Sequence, residues 1–260
     1  MSALPVTPHP SLTDAQRAQF EAEGYLILRA LVGPAEVARL RALAGEALAR
    51  AEAPLEYEAQ VGYPGAPASL DAPGGRTVRR LLQAYARHPA FAARALDPLV
   101  GEYLHALLGS RPHLAQAHHN CIMTKHPGYS SATLWHQDVR YWQYARPELI
   151  SAWLALGRER PENGCLYVLP GTHRVPLARE RFDDALFLRT DLPENQPLID
   201  SRVAVELEPG DVLLFHARTL HAAGANRTDE VKLSLVFTYR GEDNAPLPGT
   251  RSASLPEVVV

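Results

Sequence analysis

The sequence predicts a mainly β domain of sandwich or barrel type, with α-helices at its N-terminal end. From His113 onward the chain consists of short apolar runs separated by Gly, Pro, Asn and Asp, which is the pattern of many short strands joined by turns. Before that point, apolar residues recur at helical spacing. A length of 260 residues fits one domain, with a mainly helical layer (1–112), a β core (113–240) and a C-terminal tail (241–260).

The first elements are predicted from capping residues. Thr13 and Gln16 have the spacing of a capping box, so a helix should begin directly after Thr13. Gly24 suits the left-handed end of that helix, and the apolar run at 25–28 reads as a short strand. Pro34 fits the first turn of a second helix, in which apolar residues repeat every three or four positions.

The remaining elements follow from periodicity and turn residues. Two further helices are expected near 78–87 and 98–108. The segment 58–75 is too rich in Gly and Pro for a regular element, so it is either a solvated linker or a mobile flap over an active site. Predicted strands cover 114–124, 132–138, 150–156, 166–169, 203–207, 212–215 and 231–239.

Composition restricts the partners and the compartment. The 26 basic and 29 acidic side chains nearly balance and form no block of like charge, which argues against nucleic acid or an anionic membrane as a partner. No apolar run is long enough to span a membrane, and the first ten residues lack the pattern of a signal peptide. Cys121 and Cys165 have no metal-binding spacing and are expected as small buried side chains. These features predict a cytoplasmic protein.

A metal site is predicted from His136 and Asp138. In an extended strand, residues two apart project from the same face, so both side chains can reach one metal ion while Gln137 points away. With a second histidine from downstream, they form the two-histidine, one-carboxylate set of mononuclear non-haem Fe(II) enzymes. That set leaves coordination positions open for a chelating cosubstrate and dioxygen.

Two histidines compete for the third ligand position. We favour His221 over His216, because His216 follows an apolar run where a hydrogen-bonded core histidine is ordinary. The other histidines in the β region are expected as pocket, packing or structural residues, although the first three could contact the metal or its surroundings: His118, His119, His126 and His173.

Several motifs, in order, resemble the phytanoyl-CoA dioxygenase family of Fe(II)/2-oxoglutarate oxygenases. They are His136 to Asp138, Ser151 to Trp153, Asn163 to Leu166, Leu169 to His173, Gly210 to His216, and His221 with Gly224 and Asn226. The opening from Leu12 to Leu26 and the following stretch from Glu36 to Arg41 are similar to the start of the family as well. The resemblance implies a double-stranded β-helix, a cupin-like jelly-roll barrel flanked by helices. It also implies an iron site at His136, Asp138 and His221.

The resemblance further implies a dioxygenase that hydroxylates a C–H bond of a small molecule and converts 2-oxoglutarate to succinate and carbon dioxide. A related group of enzymes that halogenates has a small residue in place of Asp138, so the carboxylate here implies hydroxylation. Trp153 matches a family aromatic residue beside the cosubstrate, and a core tryptophan is the alternative.

The chain departs from the family at Lys232, eleven residues after His221, where the family has an arginine for the remote carboxylate of 2-oxoglutarate. Lysine neutralises a carboxylate without the two-pronged geometry of arginine. Ser234 lies on the same strand face and could reinforce the contact. Arg227 and Arg240 are possible substitutes.

The residues after the metal motif suggest where the substrate binds. Arg140 and Tyr141 should lie near the mouth of the site and could hold a polar or anionic molecule, whereas an ordinary surface arginine is the alternative. Two other functions remain open at this stage: a jelly-roll metal enzyme that does not use 2-oxoglutarate, and a non-catalytic metal-binding relative.

Overall fold

The computed structural model describes residues 12–260. Its helices are α1 (Asp14–Glu23), α2 (Pro34–Ala49), α3 (Ala84–Arg87), α4 (Pro89–Ala95), α5 (Pro98–Leu108) and α6 (Gln196–Asp200). Its strands are β1 (Tyr25–Leu28), β2 (Leu55–Tyr57), β3 (Val78–Leu82), β4 (Pro112–Leu114), β5 (Asn120–Lys125), β6 (Thr133–His136), β7 (Leu149–Ala155), β8 (Leu166–Val168), β9 (Val203–Val205), β10 (Val212–His216), β11 (His221–Ala223), β12 (Lys232–Gly241) and β13 (Val258–Val259).

The strands form two antiparallel sheets. The larger sheet has the order β1-β10-β7-β12-β5-β3-β2, and β4 also pairs with β12 and carries β13 at its other edge. The smaller sheet has the order β6-β11-β8-β9. Apolar side chains of both sheets meet in one cluster, with Trp153, Phe215 and Val236 from the larger sheet and Leu166 and Val168 from the smaller one. This packing of sheet against sheet gives the predicted jelly-roll barrel.

The other face of the larger sheet is covered by helices. Val37 and Leu40 of α2 and Phe91 of α4 pack in the same buried cluster as Leu154 and Leu235 of the sheet. A sheet that is buried on both faces needs apolar residues on both, and β12 is accordingly buried along its whole length. The sheet therefore provides a rigid wall behind the cavity described below.

The caps of α1 are as predicted. The Thr13 side chain accepts a hydrogen bond from the Gln16 backbone N–H, and the Gln16 side chain accepts one from the Thr13 backbone. Gly24 ends the helix with φ +80°, and a Cβ there would lie 2.4 Å from His173 Nδ1, so both backbone conformation and space require glycine.

The helix predicted near 78–87 is wrong in its first part. Residues Val78–Leu82 form β3, which pairs with β2 and β5, and only Ala84–Arg87 are helical. Gln83 separates the two with φ 55°. The apolar positions in this segment fit the period of a helix and also that of a strand. Pairing with strands that are distant in the sequence makes the segment a strand. The N-terminal layer therefore also contributes β1, β2 and β3 to the larger sheet.

Several predicted boundaries also differ, and two of these differences concern the strands around the site. The strand expected at 114–124 is two strands, β4 and β5, because residues 115–119 leave the sheet between them. The strand expected at 132–138 ends at His136, and Asp138 begins a short 3-10 helix. The tail after residue 240 packs back onto the barrel, where β13 pairs with β4 and Glu257 forms an ion pair with Arg240.

Cys121 and Cys165 are free and buried, as expected. Burial raises the pKa of the Cys121 thiol to about 11 and that of the Cys165 thiol to about 12, so neither is a ready nucleophile. Within residues 12–260, no helix is long and apolar enough to cross a membrane.

Candidate active site

A cavity of about 340 Å³ lies inside the barrel, between the two sheets. His136, Asp138 and His221 line it on one side, and Trp153 and Lys232 line it from the larger sheet. Tyr63, Arg140 and Tyr141, among other residues, also line it. The cavity is thus large enough for small molecules and combines polar and aromatic walls, as binding sites for such molecules usually do.

The smaller sheet brings the two predicted histidine ligands together. His136 at the end of β6 and His221 at the start of β11 are direct cross-strand partners, and their ring centroids lie 4.1 Å apart. Partners of an antiparallel pair project to the same face, so both rings point into the cavity. Gln137 is extended, with φ −107° and ψ 136°, which directs Asp138 to the same side as His136.

The three side chains converge on one point. The Nε2 atoms of His136 and His221 each lie 3.7 Å from Oδ1 of Asp138. The candidate ligand atoms of all three residues lie within 4.8 Å of one another, and all three residues are buried. Two imidazoles and one carboxylate in this arrangement form one face of an octahedral site.

Hydrogen bonds behind the rings set their protonation. His136 Nδ1 donates to the Leu134 carbonyl at 2.8 Å, and His221 Nδ1 donates to the Thr219 carbonyl at 3.0 Å. Because a carbonyl only accepts, Nδ1 carries the proton and Nε2 keeps its lone pair for a metal. Burial, together with the charges of His221 and Arg140, holds the pKa of His136 well below its usual value, which favours the neutral ring.

The carboxylate of Asp138 has an unsatisfied oxygen atom that a metal ion would fit. Its Oδ2 atom is buried and has no hydrogen-bond partner among the described residues. A buried carboxylate oxygen without a partner is costly, and a cation between Asp138 and the two Nε2 atoms would satisfy it. The donor set, one carboxylate and two neutral imidazoles, suits Fe(II).

His216 lies outside the cavity that holds His136, Asp138 and His221. Its ring stacks near His173 at 5.4 Å between centroids, its Nδ1 accepts a hydrogen bond from the Arg218 backbone N–H, and it borders a second pocket next to Phe20. Burial and the nearby His173 and Arg218 charges lower its pKa to about 3. The geometry therefore favours His221 over His216 as the third ligand.

The remaining histidines take different places. His119 is close to the triad, with its Nδ1 3.6 Å from Asp138 Oδ2. The His118 ring stacks on Trp142 and its Nε2 is hydrogen-bonded to Ser252, so it holds the tail in place. His126 is outside the cavity lining, and His173 packs under Gly24 as a structural residue.

The residues predicted to bind the cosubstrate meet at a buried glutamate. Lys232 Nζ donates to Glu159 Oε2 at 3.1 Å and to Ser234 Oγ at 3.2 Å. Ser234 Oγ donates to Glu159 Oε1 at 2.6 Å, and Trp153 Nε1 donates to the same oxygen at 3.0 Å. Glu159 is fully buried, so this group of four side chains is a closed, charge-neutral network beside the cavity.

Neither possible arginine substitute borders the cavity. Arg240 forms an ion pair with Glu257 and donates to the carbonyls of Gly241 and Glu242. Arg227 is exposed at the surface. Both lie outside the cavity lining.

Arg140 is placed at the cavity wall by aromatic side chains. Its guanidinium carbon lies 3.8 Å from the ring centroid of Phe187 and 4.3 Å from that of Tyr141. It donates to the Ala185 carbonyl at 3.0 Å and to the Tyr63 hydroxyl at 3.2 Å, while its Nε is buried without a partner. Arg140 therefore has one N–H group that is not hydrogen-bonded. Tyr141 also lines the cavity, and about half of its side chain is exposed to solvent.

The segment 58–75 contributes to the cavity as well. It is fastened at its base by Glu58, which is buried and accepts hydrogen bonds from Ser131 and Arg79. Tyr63, further along, lines the cavity and contacts Phe187 edge to face. The segment is therefore attached to the barrel at Glu58 and adjoins the site at Tyr63.

A family model described as Phytanoyl-CoA dioxygenase (PhyH) matches residues 20–234. The chain belongs to the phytanoyl-CoA dioxygenase family. It is 26% identical to a probable phytanoyl-CoA dioxygenase of Caenorhabditis elegans, across 96% of this chain and 83% of that protein. It is 27% identical to the ectoine dioxygenase of Sphingopyxis alaskensis, across 88% of this chain and 76% of that protein.

Solved structures show the same fold. EctD from S. alaskensis, solved with 2-oxoglutarate and 5-hydroxyectoine, aligns with a TM-score of 0.78 at 23% identity, over 97% of this chain and 84% of that one. The epimerase SnoN from nogalamycin biosynthesis, in complex with Fe³⁺, alpha ketoglutarate and nogalamycin RO, aligns with a TM-score of 0.71 at 25% identity, over 94% and 93%. The predicted family and fold class are confirmed, and so is the enzyme class, an iron- and 2-oxoglutarate-dependent dioxygenase.

The sequence reasoning missed two residues at the site. Glu159, which pairs with Lys232, lies 73 positions away from it, and no spacing pattern links them. Lys125 lines the cavity and was passed over as part of a strand. A count of lysines could have found it, because Lys125 and Lys232 are the only two lysines in the chain.

Proposed function

We propose that this protein hydroxylates a C–H bond of a small polar or anionic molecule, with Fe(II) held by His136, Asp138 and His221. The observation that carries the proposal is the convergence of two Nε2 lone pairs and one unsatisfied carboxylate in a buried cavity. When bound, iron with 2-oxoglutarate and dioxygen supplies the oxidative chemistry that hydroxylates the substrate and releases succinate and carbon dioxide. The carboxylate of Asp138 would bind the metal where a halide would otherwise bind, which supports hydroxylation.

The residues of the protein position the reactants. The carbonyls of Leu134 and Thr219 hold the two imidazoles in the tautomer that leaves Nε2 free. Lys232, Ser234 and Trp153 are proposed to hold the cosubstrate on the side of the larger sheet. His136, Asp138 and His221 are buried, so water weakens their polar contacts less than it weakens contacts at the surface.

The substrate is proposed to bind on the side of Arg140 and Tyr141. Arg140 is held between aromatic rings, and its Nε has no hydrogen-bond partner. Its guanidinium group could therefore donate a hydrogen bond to an oxygen atom of the substrate. The cavity volume of about 340 Å³, which also has to hold the cosubstrate, favours a small molecule. We also propose that the segment 58–75 is a flap over the active site, because Tyr63 forms part of the cavity wall next to Arg140.

We further propose that residues 12–260 form one domain, since β1, β2 and β3 belong to the same sheet as β12; residues 1–11 of the predicted domain lie outside the described residues. The cytoplasmic location stays a prediction from composition, and the two free cysteines are compatible with a reducing compartment.

The proposed function is tested by anaerobic Fe(II) titration followed by oxygen-dependent turnover of 2-oxoglutarate. We expect one Fe(II) per chain, and succinate release that requires both oxygen and iron. His136→Ala serves as the control without a metal site. Stoichiometric iron binding with no binding of 2-oxoglutarate would move the protein to the class of jelly-roll metal enzymes that oxidise their substrate directly.

The role of Arg140 is tested with a panel of small carboxylates and phosphates, each paired with its neutral methyl ester. We expect the acids to stimulate succinate release and the esters to fail. In Arg140→Gln the half-saturating concentration of the acids should rise roughly 10- to 150-fold, as for loss of a charged hydrogen bond worth about 1.5–3 kcal/mol.

Arg146→Gln is the matched control, because Arg146 lies outside the cavity lining and pairs with Asp243 at the surface. Iron and 2-oxoglutarate binding should be unchanged in both variants. Equal stimulation by esters and acids would show that Arg140 does not select an anionic group.

A further inference from the structure

Two of the arginines that line the cavity have no acidic partner. Arg79 and Arg80 each form an ion pair with a glutamate. Arg140 and Arg251, the other two arginines of the lining, form no ion pair with any residue in the range 12–260. Arginine does not lose its proton in a protein, so both guanidinium groups stay charged. The cavity therefore has two permanent positive charges that no carboxylate of the described chain neutralises.

Arg251 belongs to the C-terminal tail, which lies outside the part of the chain that the family model matches. The match ends at residue 234, whereas the tail covers residues 241–260. Arg251 begins a short 3-10 helix, Arg251–Ala253. Its side chain is exposed and yet borders the cavity, so it lies at the opening. The tail thus brings to the cavity a charged group that the family-matched part of the chain does not supply.

The neighbouring Ser252 fixes the position of Arg251. Ser252 is 1% exposed, its Oγ accepts a hydrogen bond from the Gln143 backbone N–H at 2.8 Å, and it is hydrogen-bonded to His118 Nε2 at 2.7 Å. On one side of this point the Leu247 N–H donates to the Gln143 carbonyl at 2.9 Å, and on the other side β13 pairs with β4. The tail is therefore attached before and after Arg251, which places the arginine at the mouth.

The two unpaired arginines approach the cavity from different parts of its wall. Arg140 lies on the side of the flap, where it donates to the Tyr63 hydroxyl at 3.2 Å. Arg251 lies on the side of His118, whose ring stacks on Trp142 at 5.0 Å between centroids. A molecule in the cavity can therefore meet one guanidinium group on each side.

No other charge replaces or cancels Arg251 on its side of the mouth. Burial, together with the nearby charges of His119 and Arg251, lowers the pKa of His118 to about 3, so His118 is neutral. Two of the three acidic side chains of the tail, Asp243 and Glu257, pair with arginines outside the cavity lining. The guanidinium of Arg251 is thus available to an anionic group from solution.

We propose that the substrate is an organic dianion, with one anionic group bound by Arg140 and the second bound by Arg251 at the mouth of the cavity. This inference rests on the proposed function, which assigns the first group to Arg140. A guanidinium group matches the geometry of a carboxylate or a phosphate, so either kind of group suits the second position. Uncompensated positive charge at an opening also attracts such a molecule from solution. Arg251 is then a residue that determines substrate specificity.

The first test measures binding by calorimetry, with Fe(II) and saturating 2-oxoglutarate and without oxygen. The probes are linear dicarboxylates of increasing length and the matching phosphonocarboxylates, each paired with the ester that blocks one acidic end. We expect at least one diacid to bind about 10-fold more tightly than its half ester. This is the lower limit for a hydrogen bond to a charged group, because Arg251 is exposed to solvent.

Arg251→Gln should remove this difference and leave the half ester nearly unchanged. Arg111→Gln is the matched control, because Arg111 is also exposed and lies outside the cavity lining, and it should keep the difference. A preference shown only by the phosphonocarboxylates would identify the second group as a phosphate. A difference that persists in Arg251→Gln, or that is absent from every pair in the unmodified protein, would overturn the inference.

The second test reverses the charge at the same position. In Arg251→Glu, ω-amino acids should bind more tightly than dicarboxylates of the same length, which is the opposite of the order in the unmodified protein. Thermal unfolding checks that the fold is kept. An unchanged preference for dicarboxylates would overturn the inference. If the diacids bind as expected and never stimulate succinate release, the proposed hydroxylation is wrong, whereas the binding of the second anionic group by Arg251 stands.

Discussion

His221→Ala is expected to abolish stoichiometric iron binding and turnover, whereas His216→Ala is expected to retain both. The Nε2 atom of His221 lies 3.7 Å from Asp138 Oδ1, opposite His136, while His216 lies in the second pocket beside His173. Loss of a residue that merely supports a ligand typically costs about 10- to 100-fold in metal affinity, so loss of a ligand should cost more. Anaerobic Fe(II) titration measures this directly.

The two histidines make a matched pair of variants. Both rings are largely enclosed and each makes one hydrogen bond through Nδ1, so similar losses of folding stability are expected. Thermal unfolding of the metal-free proteins checks this point. If His216→Ala lost iron while His221→Ala bound it normally, the distal ligand would be assigned wrongly. His136→Ala should behave as His221→Ala does.

The parts of the fold that were predicted correctly are those that local signals determine. The capping box of Thr13 and Gln16 and the left-handed Gly24 depend on residues a few positions apart, and the structure shows both. Strand β3 was predicted as helix because its apolar residues suit both periods. Its pairing with β5 brings together residues about forty positions apart, and no local pattern contains that information.

The same distinction applies to the site. His136 and Asp138 are two positions apart, so strand geometry alone predicts that they share a face. The opposing position of His221 depends on the register of β6 and β11, which the resemblance to a family anticipated and the residues alone did not. Glu159 reaches Lys232 only through the folded barrel, so the neutral state of that pair could not be predicted.

Lys232→Ala is expected to leave iron binding intact, to weaken 2-oxoglutarate strongly and to destabilise the fold. Removing the ammonium leaves Glu159 buried without compensation next to the proposed cosubstrate site. Loss of one partner of a buried pair typically costs about 3–5 kcal/mol of stability. The affinity for 2-oxoglutarate should fall by roughly 30-fold to several-thousand-fold, corresponding to about 2–5 kcal/mol. Calorimetry and chemical denaturation measure the two effects.

The double variant Lys232→Met with Glu159→Gln separates two explanations of that loss. It removes the pair without leaving a buried charge, so most of the stability should return, and most of the 2-oxoglutarate affinity should return if Lys232 does not itself pair with the remote carboxylate. Affinity that stays as low as in Lys232→Ala would make Lys232 the direct anchor of the remote carboxylate. An uncompensated Glu159 should repel the carboxylates of 2-oxoglutarate. If Lys232→Ala itself bound 2-oxoglutarate with unchanged affinity, this repulsion would be absent, and Lys232 and Glu159 would have a structural role only.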